Sequence, residues 1–148
     1  MIQGARGFTL VELVTIMIIV GILAVFAIPR MDTAAYHAVE FHDQTVAALR
    51  FAQKTAVSHR RLVCVSFPDA STLQLNIEAS LKTGVCSAAA LALPIPGSAN
   101  HQVHSDSASF TVLPATLNFD SQGRSGGASL DIEGAARITV VGATGYVQ

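Results

Sequence analysis

The sequence predicts an α+β protein in which one long N-terminal helix, membrane-spanning in its first half and amphipathic in its second, packs on an antiparallel β-sheet. Three patterns carry that prediction. Phe8 to Ile28 is almost wholly apolar, Met31 to about Ser58 repeats its apolar residues with a helical period, and beyond Arg61 the alternation has period two. The chain therefore divides into a polar leader at 1–7, an apolar helix at 8–29, its amphipathic continuation at 30–58 and a β-rich domain at 59–148.

The apolar run reads FTLVELVTIMIIVGILAVFAI. Its roughly 21 residues, at about 1.5 Å each, match the ~30 Å hydrocarbon core of a bilayer. No small-residue cleavage site follows it, so it reads as a retained anchor and not as a secretory signal. Glu12 is its one acid. An ionised carboxylate near the centre of a membrane helix costs about 2.5 to 3.5 kcal/mol, so Glu12 lies at the interface or has a partner. If the chain were cut after Gly7, the new amine of Phe8 on a neighbouring copy would be such a partner. Pro29 lacks an amide hydrogen and crowds the preceding turn, which predicts a kink as the helix ends. Arg6 and Arg30 flank the run and leave its orientation nearly balanced.

From Met31 to about Ser58, Ala38, Phe41, Thr45, Ala48, Leu49, Ala52 and Ala56, with Val39, Val46 and Val57, fill one arc at 100° per residue. Glu40, Asp43, Arg50 and Lys54 take the other, together with the aromatics Tyr36 and Phe51. The apolar arc is expected to lie on the sheet. His59, Arg60 and Arg61 suit a helix C-terminus, where positive charge complements the dipole.

Leu62 to Phe67 reads as a strand, Pro68 and Asp69 as a turn, and Leu73, Leu75 and Ile77 alternate with polar residues in a second strand, together an antiparallel hairpin. Ser87 to Ser109 is rich in Ala, Ser and Pro and reads as an irregular connection. Later strands are expected near 109–113, 116–119, 129–132 and 137–141, separated by the glycine-bearing stretches 120–127 and 142–145.

The 148 residues are 51% hydrophobic and 13% charged, which leaves one ordinary-sized domain once the apolar helix is set aside. A formal charge of −1 and the lack of a basic run argue against a nucleic-acid partner.

Gly7, Phe8, Thr9, Leu10, Val11 and Glu12, followed by the apolar helix and then Pro29, resemble the prepilin signature of type IV pilins and type II secretion pseudopilins. That resemblance implies a pilin-like fold and a structural subunit, not an enzyme. It implies that prepilin peptidase cuts between Gly7 and Phe8 and methylates the amine of Phe8, and that Phe8 and Glu12 guide assembly with other pilins or pseudopilins into a filament. It also implies a single-pass protein of the bacterial inner membrane before assembly, with a cytoplasmic leader and a periplasmic globular domain.

Leu49, Arg50, Ala52, Gln53, Ala56 and Val57 before a strand, and Phe119, Gly123, Arg124, Ile138 to Val140 and Thr144 to Tyr146 near the end, resemble the minor-pseudopilin branch known as GspH or FimT. The alternative role within that resemblance is a filament-tip binding module, an adhesin or a DNA-uptake receptor. The basic Gly-Arg-x-Arg motif of DNA-binding members is broken here, because Ser125 and Gly126 follow Gly123 and Arg124. Major pilins close a C-terminal loop with a disulfide, whereas Cys64 and Cys86 both precede that region. In the oxidising compartment implied by the resemblance, Cys64 and Cys86 either pair or stay as two separate buried thiols, and pairing is the expectation.

No cofactor or metal is expected. His101 and His104 have a spacing that could bind metal but lack an evident third ligand, and His37 and His42 share no helical stripe. Asp120, Asp131 and Glu133 lack the alternate-oxygen spacing of a calcium loop. His104, Ser105 and Asp106 are sequence neighbours whose side chains diverge, which is the wrong arrangement for a catalytic triad.

Overall fold

A computed structural model of the chain describes residues 7–27, 33–81, 84–98 and 101–148. The chain divides into two compact units, Met1–Asp32 and Thr33–Gln148. The first unit contributes helix α1, Leu10–Ala27. Thr9 caps it: the Glu12 N–H donates to Thr9 Oγ1 at 3.2 Å and the Leu13 N–H to the Thr9 carbonyl at 3.1 Å. Thr-x-x-Glu is the capping-box pattern, and an acid in the first turn also suits the positive end of the helix dipole.

That cap corrects the expected membrane span. Phe8 and Thr9 lie outside the helix, whose 18 described residues cover about 27 Å at 1.5 Å per residue, against the ~30 Å core. Among the described residues no helix is long and apolar enough to cross a membrane. The expectations of a membrane-spanning segment at 8–29, and of a single-pass inner-membrane protein with a periplasmic domain, are overturned with it. In place of the expected single long helix two are described, α1 over Leu10–Ala27 in the first unit and α2 over Thr33–His59 in the second. Pro29, and the kink expected there, lie outside the described residues. The coarser α+β class stands.

In the second unit α2 buries Ala38, Phe41, Thr45, Ala48, Leu49, Ala52 and Ala56 as its period requires, and Thr55 as well. Val39 and Val57, assigned to the same arc, are about half exposed. The helix stops in a Schellman arrangement, with the Arg61 N–H donating to the Ala56 carbonyl at 3.2 Å and Arg60 in the left-handed region at φ 52°.

The strands are β1 Val63–Asp69, β2 Thr72–Ile77, β3 Leu91–Ala92, β4 Gln102–His104, β5 Phe110–Val112, β6 Leu117–Phe119, β7 Ala128–Ile132 and β8 Ile138–Val140. They form two antiparallel sheets where one was expected. The larger has the order β3-β2-β1-β6, with β4 also pairing β2; the smaller is β5-β7-β8. β3 and β4 lie in the stretch read from sequence as irregular. Val63, Val65, Leu73, Leu75 and Phe119 pack with the buried face of α2 in one core. Phe110 ties β5 to that core through Phe41, ring centroids 4.8 Å apart, and through Phe67 at 5.5 Å, edge to face.

Candidate functional site

The residues singled out at the N-terminus are gathered before and within the first turn of α1. Gly7 has open space where a Cβ would point, and Phe8 is 75% exposed. Glu12 is exposed and is the only charged side chain in α1. The helix that follows is apolar on every side: Leu10, Val11, Met17, Ile18, Val20 and Leu23 are each more than half exposed. A helix of that kind is stable in water only when something covers it.

In the second unit Cys64 of β1 is disulfide-bonded to Cys86, with Cα atoms 5.9 Å apart. Glu78, at the end of β2 and 3% exposed, secures the same loop by accepting hydrogen bonds from the Ser87 backbone N–H and, at 2.9 Å, from the Ser87 hydroxyl. This buried acid was not singled out from the sequence. Its cue was a lone Glu at the end of the alternating run, eight residues before Cys86.

Arg50 was placed on the solvated arc of the helix, and the structure gives it and Gln53 partners in the C-terminal loops. The Arg50 guanidinium donates to the Val147 carbonyl from Nε at 3.3 Å and Nη2 at 3.0 Å. Gln53 Nε2 donates to the carbonyls of Thr144 at 2.7 Å and Gly123 at 3.2 Å. Together they clamp the C-terminal loops to α2. Gly123 and Gly145 make the clamp possible. Both have positive φ, a Cβ on Gly145 would collide with the Gly123 carbonyl, and one on Gly123 would lie 2.8 Å from Val57. Gln53, Gly123 and Gly145 are thus fitted to one another by packing.

The remaining polar candidates are spread among turns. Asp120 accepts from the N–H groups of Gln122 and Arg124 at 2.8 and 2.9 Å and from Arg124 Nε at 2.9 Å. Partial burial opposes its ionisation, but these donors outweigh it and hold its pKa below the ordinary carboxylate value. Asp131 is likewise lowered by its two-pronged bond to Arg137. His104 lies between the Thr72 hydroxyl at 2.9 Å and Asp106 at 3.1 Å, while His37 faces Glu40 at 3.7 Å. Asp106 is almost fully exposed, and Ser105 turns to cap the N–H groups of Ser107 and Ala108. Among the described residues no three His, Cys, Asp or Glu side chains converge as metal ligands.

Comparison with known proteins finds no family model, no curated protein and no solved structure that matches the chain.

Proposed function

We propose that this chain is a minor pilin or pseudopilin, a structural subunit of a type IV pilus or type II secretion pseudopilus. Prepilin peptidase cuts it between Gly7 and Phe8 and methylates Phe8, and other pilins or pseudopilins cover α1 in the filament. One observation carries the reading: a helix with apolar side chains exposed on every side and a single acid, Glu12, begins directly after Gly7-Phe8-Thr9. Neighbouring copies supply both the apolar cover and, through the amine of Phe8, the counter-charge for Glu12. The clamp on α2, the disulfide and the two sheets give the second unit the character of a rigid structural part; we assign it no catalytic role.

Intact-mass and N-terminal analysis, with and without a co-expressed prepilin peptidase, tests this. The expected result is peptidase-dependent loss of Met1 to Gly7 and a methylated Phe8. Glu12→Ala is then expected to block entry into filaments while the second unit stays folded. A leader retained under both conditions sinks the reading.

A further inference from the structure

The face of the five-stranded sheet turned away from α2 carries a groove of about 670 Å³, within the usual size range of ligand sites. Strand register builds its floor. Cys64 of β1 sits opposite Asn76 of β2 on one side and Asn118 of β6 on the other, which places two amides in one row across three strands. Ser66, two residues along β1, and Thr116, just before β6, add hydroxyls. Val85, Leu113 and Pro114 supply apolar walls, and no lining residue is charged.

The side-chain hydrogen bonds of this region run elsewhere, among Asp69, Ser71, Thr72 and His104 at the hairpin and between Glu78 and Ser87 beside the disulfide. Asn76, Asn118, Ser66 and Thr116 are left without side-chain partners among the described residues. The Cys64–Cys86 bond and the Glu78–Ser87 contacts fix the wall that carries Val85 before anything binds, which lowers the ordering cost of binding.

We propose that this groove binds a neutral carbohydrate. A primary amide offers a donor and an acceptor side by side, which adjacent ring hydroxyls match, and the apolar walls cover the C–H faces of the sugar. The floor is the face of a sheet, with β1 paired between β2 and β6, so a peptide lying across it meets side chains and not a row of free backbone groups. An acidic polymer finds no cation in the lining. This inference stands apart from filament assembly, and its failure leaves the processing result above untouched.

The test uses the full chain in a detergent without a sugar headgroup. After an array screen of neutral oligosaccharides, cellotriose, chitotriose, maltotriose and any array hit are titrated into ¹⁵N-labelled protein. At least one is expected to shift the side-chain amide signals of Asn76 and Asn118. Asn118→Ala and Thr116→Val are each expected to weaken that binding by about tenfold, with urea midpoints unchanged. Thr116 is exposed, so its variant tests the idea even if Asn118→Ala folds poorly. The proposal is overturned if no neutral oligosaccharide moves those signals, or if Thr116→Val binds as tightly as the parent. It also falls if an uncharged capped hexapeptide of alternating valine and threonine moves the same signals at the same concentrations.

Discussion

Helices α1 and α2 satisfy their backbones in the same way and distribute their side chains in opposite ways. In α2, Ala38, Phe41, Leu49 and Ala52 are sealed against strands of the same chain, while Glu40, Asp43 and Lys54 meet solvent. In α1 the apolar residues Leu10 through Leu23 surround the axis and remain exposed. Burying a side chain the size of leucine or isoleucine contributes about 1.5 to 3 kcal/mol. For α2 that gain is collected in folding; for α1 it remains available to association. The same apolar content thus serves stability in α2 and is left uncovered in α1.

Matched substitutions give the largest separation between the two. Phe41→Ala removes a fully buried ring stacked near Phe110, and is expected to cost the second unit about 3 to 5 kcal/mol in urea unfolding. Ile16→Ala, on α1 and 44% exposed, is expected to change that unfolding by less than about 0.5 kcal/mol. A loss of several kcal/mol in the Ile16 variant would show that α1 contributes to the fold of the second unit, and the contrast would break. Next in size is the covalent link. Replacing Cys64 and Cys86 together by serine opens a loop with a sequence separation of 22, and is expected to cost about 3 kcal/mol. The processing proposed at Gly7 is expected to be unaffected, since the bridge lies wholly within the second unit.

What could be read from the sequence follows the same division. The buried arc of α2 and the β1–β2 hairpin were legible because their periods, 3.6 and 2, run long enough to register. β3 and β4, with two and three residues, are too short to show a period, and Pro94 and Pro96 beside them argued for a loop. Arg50 is exposed, as the arc plot has it, but such a plot sorts residues by polarity and does not show partners. The acceptor for Arg50, the Val147 carbonyl, is 97 positions away and leaves no local trace. The start of α1 was more accessible than the reading made it: Thr9-x-x-Glu12 is a capping signal, and counting hydropathy from Phe8 passed over it. The candidate processing residues were legible as a motif, whereas the row of Asn118, Cys64 and Asn76 exists only once register is fixed.

Within α2 a smaller test sharpens the comparison. Thr45 Oγ1 is fully buried on the helix's inner face with no partner among the described residues, a polar defect in the surface that does the stabilising. Thr45→Val keeps the shape and removes the unsatisfied group. It is expected to stabilise the second unit by about 1 kcal/mol, read as a higher urea midpoint. A lower midpoint would mean that the hydroxyl has a partner in solution.

The smallest expected effect comes from charge, because the lowered acids named above belong to the second unit. Asp120 has its pKa lowered in the folded chain, so the unfolded state binds its proton more readily. Stability from the charged form is therefore complete above the unfolded value, about 3.9, and is lost as pH falls through the lower folded value. Asp120→Asn retains an oxygen to accept from Gln122 and Arg124 but cannot ionise. The parent is expected to exceed this variant in urea midpoint at pH 7, and the gap is expected to close below about pH 4. A gap that stays constant down to pH 2.5 would assign the effect to hydrogen-bond geometry, and the carboxylate charge would then contribute nothing to holding Arg124 and its loop beside α2.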